Sequence, residues 1–554
     1  MSGFKMKIYS SLEKIFPHHA PDTSTDTFSL SALVGESVSF QVAYRADSNE
    51  FRSWGRIKVT TTDSLPVTLR RVRYVPGSIL PQFKTDEEYI TTEAGLFPDL
   101  LEPFDANRIP LIPGLWQSIW VDIEVSAQTT TKDNLISISL ETTYGKELGA
   151  AKVSLAVVNA KLPALHIPHT RWFHADCLAE YYYVEVFSQR HWAYIERFAS
   201  YAVKHGINTL LTPIFTPPLD TEIGGERPTV QLIDVEENGD KYRFSFEKLD
   251  RWIDMCEHIG IVYYEMAHLF TQWGAKHAPK IMVKSNGQYI KRFGWETDAI
   301  GEEYTNFLRQ LLPALTAKLT QRGIADRTYF HISDEPSLND LEQYTKARRI
   351  VEPFLTNFKI IDALTDFDFF KRGAVSIPIP AVDHIRPFIG SAVKGELAEL
   401  WCYFCCAQSY KVPNQFFTQP SYRNRILGVL LYKYQIDGFL HWGYNFYFTF
   451  HSVELIDPFL ITDADGTFPS GDAFLVYPGD DGHPLGSIRL MVAKEAFDDL
   501  RALTLLEQLA GREFVFALIA KEIPEPLTFN CFPKNGEPLL NLRTSVNQEI
   551  QKRV

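Results

Sequence analysis

Along residues 36–46, ESVSFQVAYRA, the apolar side chains Val38, Phe40, Val42 and Tyr44 share one face, the period-two pattern of a half-buried strand. The same rhythm recurs at 55–62, 135–145 and 150–160, separated by turn residues and without a long helical period. This predicts an antiparallel β-sandwich over residues 1–160. The stretch 161–169, KLPALHIPH, places two prolines in nine residues and reads as a linker. Beyond it the period alternates. Strands are predicted at 170–176, 207–215, 261–270, 328–333, 358–364, 374–380, 399–406 and 437–445, with helical stretches such as 191–206 and 304–323 between them. Eight such units over residues 170–490 predict a (β/α)8 barrel. An open doubly wound sheet fits less well, because no glycine-rich phosphate loop follows the first of these strands. Residues 491–554 are expected to form helices that pack on the barrel.

Composition narrows the function classes. A chain of 554 residues is too long for one ordinary core, and 45% hydrophobic with 22% charged residues describes a folded protein. The formal net charge is −13 and no sustained Lys/Arg block exists, which argues against nucleic acid as a partner. The first twenty residues lack the apolar run of an export signal, and the longest greasy stretches, such as ILGVLLY at 426–432, are far too short to span a membrane. A cytoplasmic location is therefore expected. The six cysteines are sparse and irregular, unlike a disulfide framework. CYFCC at 402–406 contains one C-x-x-C spacing without a second pair, inside an apolar run, and reads as buried thiols.

The candidate chemistry sits in YFHISDEPSL, residues 329–338. At the end of the fourth barrel strand two adjacent acids, Asp334 and Glu335, precede Pro336. On one reading they open a helix: Ser333 or Asp334 as N-cap, Glu335 as a first-turn acid and Pro336 as a helix starter, ahead of the helical spacing of Leu338, Leu341, Tyr344, Ala347, Ile350 and Phe354. On the other they are catalytic. The C-terminal ends of barrel strands carry the active sites of such folds, and two close carboxylates push one pKa upward. Neighbours on a regular strand point to opposite faces, so both reach one ligand only where the strand has become irregular. Trp273, Trp401, Tyr403, Trp442, Tyr444 and Tyr447 are candidates for an apolar wall of a substrate site, and Asn445 for a polar contact there. His174, Asp176, His268 and His441 also fall near strand ends. They show no tight ligand spacing such as H-x-H, so they are read as substrate contacts, with no metal.

HISDEP at 331–336 and DGFLHWGYN at 437–445, together with GESVSFQVAYRA at 35–46 and FLVYPGDDG at 474–482, resemble glycoside hydrolase family 123 and its broader relatives. The resemblance spans nearly the whole chain. It implies a sandwich joined to a (β/α)8 barrel and an exo-acting β-N-acetylgalactosaminidase, or N-acetylhexosaminidase, using substrate-assisted catalysis. By resemblance, Asp334 would hydrogen-bond the acetamido N–H while its carbonyl oxygen attacks the anomeric carbon. Glu335 would protonate the leaving oxygen and later activate water against the oxazolinium intermediate. No cofactor is expected, and the expected partner is a small β-glycoside of an N-acetylhexosamine. Two alternatives stay open: a conventional retaining glycosidase with a distant nucleophile such as Glu265 or Asp366, and a non-catalytic carbohydrate-binding barrel.

Overall fold

The computed structural model describes residues 3–22, 28–47, 53–126, 129 and 133–554. The N-terminal region is mostly sheet. Phe4–Ser10, Ser37–Ala46, Gln117–Glu124, Val67–Gly77 and Gly95–Pro103 lie side by side in one sheet; Phe28–Val34, Glu147–Lys161, Asn134–Thr142, Ser53–Thr61 and Ile109–Leu111 form a second. Alternation in the sequence becomes burial here: Val38, Phe40, Val42 and Tyr44 from the first sheet share one cluster with Ile57, Ile136, Ile138 and Val153 from the second. The expectation of purely antiparallel pairing is corrected for one pair of strands, and a lone Ala46–Pro113 bridge is parallel as well. Phe28–Val34 runs parallel to Glu147–Lys161, Val153 facing Phe28 through Val158 facing Leu33, because the chain between Val34 and Asn134 passes between the two sheets several times before it returns beside its starting strand. Tyr477–Pro478 and Pro484–Ser487, which the sequence reading assigns to the barrel, extend the first sheet through Gly486–Leu101 and Ser487–Leu100 pairing.

All eight expected barrel strands form, each shorter than its apolar run: His169–Arg171, Thr209–Thr212, Tyr263–Met266, Thr328–Phe330, Lys359–Ala363, Ile377–Ile379, Trp401–Tyr403 and Gly438–His441. They are numbered barrel strands 1 to 8 below. All neighbours pair in parallel, in the order 6-5-4-3-2-1-8-7, and a single bridge from Ala381 to Tyr403 nearly closes the ring between strands 6 and 7. Its interior holds Leu211, Tyr329, Ile361, Ile377, Ile379 and Leu440, so the barrel is a packed core.

Two features escape the sequence reading. A four-stranded sheet, Asp234–Asn238, Lys241–Ser245, Ile281–Ser285 and Gln288–Phe293, is inserted around barrel strand 3. Its hairpins turn at Gly239-Asp240 and Asn286-Gly287, with positive φ at Gly239, Asn286 and Gly287; the Asn-Gly pairs at 238–239 and 286–287 were the available signal. A helix at Arg512–Glu522 stands between the expected C-terminal helices, Ile488–Ala510 and Glu537–Gln551. No helix among the described residues is long and apolar enough to cross a membrane.

The N-terminal region also braces the loop after barrel strand 7. The Lys14 ammonium donates to the carbonyls of Phe416, Phe417 and Gln419, Asp86 pairs with the Arg423 guanidinium, and the Tyr89 hydroxyl donates to Ser409 O. A buried loop backbone needs such partners.

Candidate active site

Barrel strand 4 ends at Phe330, and the segment 331–337 that follows is irregular. Its path is set from both sides. From strand 3, Leu269 N and Phe270 N donate to the carbonyls of His331 and Ile332, and Trp273 N donates to Asp334 O at 2.8 Å. From strand 5, Asp362 Oδ1 accepts from Ile332 N at 3.0 Å and from Ser333 N at 3.3 Å. Glu335 takes φ 46° immediately before Pro336, a left-handed conformation that costs a non-glycine residue about 1–3 kcal/mol. Asp220, Trp273, Ala275, His451 and Ser452, on loops following strands 2, 3 and 8, also have positive φ, so strain gathers at this end of the barrel.

Neither acid caps the following helix. Ser337 and Asp340 form the capping box of the short turn Leu338–Asp340, which leads into the helix Leu341–Val351. The helix-opening reading of Asp334 and Glu335 is thereby overturned. Asp334 is half-buried, and its carboxylate makes no hydrogen bond among the described residues. Burial and the neighbouring Glu335 charge hold its pKa well above the usual carboxylate range. Glu335 keeps solvent contact, yet protein lies close enough for desolvation to raise its pKa as well; the remaining solvent limits that rise. Together the acids retain a proton more readily than two separate surface carboxylates.

Tyr403, at the end of strand 7, donates its hydroxyl to Glu335 Oε1, and the same hydroxyl lies 3.1 Å from Thr365 Oγ1. Because Thr365 can donate or accept, Tyr403 can serve either protonation state of Glu335. Trp273 is 40% exposed beside the pair and faces the His451 ring at 6.0 Å. His268 is fully buried, its ring stacked on that of His331 at 4.2 Å.

A second cluster gathers most of the other candidates around Arg227, which the sequence reading missed. Arg227 holds Asp176 through two hydrogen bonds of 2.7 and 2.9 Å and donates to His174 Nδ1 at 3.0 Å, while His174 Nε2 donates to Trp442 O. Burial and the adjacent guanidinium depress His174 to about 3. Half-buried Trp442 donates to Asp472 Oδ2 at 2.8 Å, and buried His441 lies 3.4 Å from Asp472 Oδ1.

Four expected sugar contacts are corrected. Trp401 is fully buried at the opposite, N-terminal end of strand 7, packed on Tyr329 and over Gly438, where any Cβ would meet its ring. Tyr444 and Tyr447 point into the protein, their hydroxyls donating to Phe198 O and Val476 O. Asn445 spends its amide on the backbone of His174, accepting from its N–H and donating to its carbonyl. Of the CYFCC thiols only Cys402 is buried; Cys405 and Cys406 are half-exposed, and all six cysteines are free. Among the described residues no group of three or more His, Cys, Asp or Glu is arranged to hold a metal ion.

The two distant acids weighed as nucleophiles are occupied. Glu265 is fully buried and accepts from Thr170 Oγ1, from Trp172 Nε1 at 2.8 Å and from His331 Nε2 at 2.7 Å. Asp366 caps the helix Phe367–Lys371 by accepting from Phe369 N at 3.0 Å. His331 and Asp362 complete the floor below Asp334; HISDEP and the end of the run KIIDA were their only trace in the sequence.

The model of the glycoside hydrolase 123 catalytic domain matches residues 172–506, more than half of the chain. The chain belongs to glycoside hydrolase family 123. A solved family 123 glycoside hydrolase from Clostridium perfringens, whose structural analysis concerned glycolipid glycan hydrolysis, is similar over 99% of this chain and 97% of its own, at 15% identity and TM-score 0.73. An endo-β-1,4-mannanase from Thermotoga petrophila is matched at 13% identity over 61% of this chain and 77% of its own, with TM-score 0.35. No curated protein matches the chain. This family 123 chain is thus a glycoside hydrolase with a carbohydrate substrate.

Proposed function

We propose that this glycoside hydrolase is exo-acting and releases terminal β-linked N-acetylgalactosamine, or another N-acetylhexosamine, by substrate-assisted retaining catalysis. The observation that carries the reading is an adjacent acid pair at the end of barrel strand 4 whose first member has a free carboxylate and whose second is paired with a tyrosine hydroxyl. Asp334 accepts the acetamido N–H, which orients the amide and steadies the positive charge that grows as its carbonyl oxygen attacks the anomeric carbon. Glu335 gives its proton to the leaving oxygen, then takes one from the water that opens the oxazolinium. Tyr403 hydrogen-bonds Glu335 through both steps, with Thr365 taking the complementary role. Trp273, exposed beside the pair, is the best-placed aromatic for a sugar face.

An acetamido substrate fits because no other acid at this floor is free to attack: Glu265 is held by three donors and Asp366 is a helix cap. The relative from Clostridium perfringens, studied for glycolipid glycan hydrolysis, supports terminal sugars of glycolipid glycans as the class to try first. We read the two N-terminal sheets as a sandwich that supports the loop after strand 7. The test is nitrophenol release from β-N-acetylgalactosaminide, β-N-acetylglucosaminide and plain β-galactoside. Turnover restricted to the acetamido sugars is the expected result. Comparable turnover of the plain galactoside would sink substrate assistance, and binding without turnover that Glu335→Gln leaves unchanged would favour a non-catalytic barrel.

A further inference from the structure

Directly below the acid pair, one imidazole stands between two buried carboxylates. His331 follows barrel strand 4; Glu265 comes from strand 3 and Asp362 from strand 5. His331 Nε2 lies 2.7 Å from Glu265 Oε1, and Nδ1 lies 3.4 Å from Asp362 Oδ1, a charge contact rather than a well-aligned hydrogen bond. All three side chains are essentially sealed from water. A neutral imidazole carries one N–H and would leave one carboxylate facing a lone pair; the imidazolium answers both. Two uncompensated carboxylates at this depth would be strongly destabilising.

The surroundings keep that charge on His331. His268 is stacked on it at 4.2 Å and 21°, with neither ring nitrogen partnered, and burial together with the His331 charge holds His268 neutral. The Trp172 ring meets both imidazoles edge-on and donates to Glu265, and the Tyr344 hydroxyl donates to Asp362 Oδ2 from the helix Leu341–Val351. The charges that act on Asp334 are Glu335, His331, Asp362 and Glu265, three anionic and one cationic. Glu335, by contrast, feels Tyr403 and Asp383.

We propose that His331 is a positioning residue for the acid pair: its imidazolium, gripped by Glu265 and Asp362, supplies the positive charge that offsets the acids around Asp334, so that the pair holds one shared proton and not two. Without it the floor would present two bare carboxylates to Asp334, and the pair would bind a second proton. Burial alone would discharge His331, but Asp362 and Glu265 overcome it and raise the imidazole to about 9, so the cation persists across neutral pH. The role assigned to Asp334 rests on the reading under "Proposed function"; the cationic state of His331 does not.

The test joins a variant with a direct observation. For His331→Gln, the acid limb of the kcat/KM profile on the preferred acetamido glycoside should move up by about one pH unit. At the wild-type optimum kcat should fall at least tenfold with KM within about threefold. A merely structural role would lower the amplitude or the unfolding midpoint and leave the acid limb in place, and that result overturns the proposal. If the variant does not fold, or no glycoside is turned over, 15N-histidine NMR of the wild-type protein at pH 8 decides the charge. One imidazole protonated on both nitrogens is expected among the fifteen histidines, and its absence overturns the proposal whatever the substrate proves to be.

Discussion

Acids that the fold draws out of bulk water occur in two settings in this protein, and they are treated in opposite ways. At several places away from the end of barrel strand 4, a buried carboxylate meets a guanidinium. Asp99 receives two hydrogen bonds of 2.9 Å from Arg489 and a third from the Tyr477 hydroxyl; Asp499 is shared by Arg425 and Arg543; Asp176 is clasped by Arg227. Arginine stays charged at any ordinary pH and its fork fixes geometry, so these acids are locked as anions. Among the described residues Asp334 and Glu335 have no such partner. The cation below them is a histidine, and the group touching Glu335 is a neutral hydroxyl. A locked anion stabilises a fold and does no proton chemistry. An acid left without an arginine costs stability and keeps its proton available.

The sharpest way to break this comparison is to neutralise one acid from each setting. Glu335→Gln should lower kcat/KM about 10²–10⁴-fold, the range for loss of a general acid–base group, while the unfolding midpoint holds or rises as like-charge repulsion is removed. Asp99→Asn should do the reverse. It leaves the Arg489 charge buried without its anion and should cost about 3–5 kcal/mol of stability, with activity per folded molecule unchanged. Steady-state kinetics and denaturant unfolding on both variants check the pair. If the two variants lose stability equally, the distinction between locked and open acids fails.

Much of this was legible in the sequence, and the limits follow from physics. Period-two alternation and the strand–helix rhythm found both sheet systems, because burial on one face imposes those periods. The acids were visible because two like charges beside Pro336 break an apolar run. The inserted sheet was missed because its strands, such as DVEEN and KYRFS, are polar surface hairpins with a weak hydrophobic period. Arg227 was missed because it lies in a loop and reaches His174 and Asp176 only through the fold. The aromatic run after strand 8 misled for a simpler reason. Tyr444, Asn445 and Tyr447 sit past a strand end, yet their polar atoms satisfy buried backbone groups, and sequence does not say which way a side chain turns.

A smaller effect concerns pH and stability. The folded-state pKa of Glu335 is raised, chiefly by burial, above its ordinary value of 4.5. Below that value the folded and unfolded chains are both protonated there, and the residue contributes no pH dependence. As pH rises past about 4.5 the unfolded chain ionises first, so this residue makes the wild type progressively less stable until the folded pKa is passed. Glu335→Gln has no proton to lose. The difference in melting temperature, variant minus wild type, should therefore grow between pH 4 and pH 7. Thermal melts at four or five pH values measure it, and a constant difference would mean that Glu335 is as well solvated as a surface acid.

The smallest effect tests whether the correction at Tyr444 is right. Its ring stacks on Phe173 at 6.1 Å and its hydroxyl donates to Phe198 O at 2.9 Å, both inside the protein. Tyr444→Phe keeps the ring and deletes that hydrogen bond, the second one to a carbonyl inside the helix Gln189–Lys204. The expected loss is about 1 kcal/mol in stability, with KM for the preferred glycoside unchanged. A raised KM at unchanged stability would mean that the hydroxyl meets the sugar. Tyr444 would then belong with the open groups around Asp334 and Glu335 rather than with the locked ones.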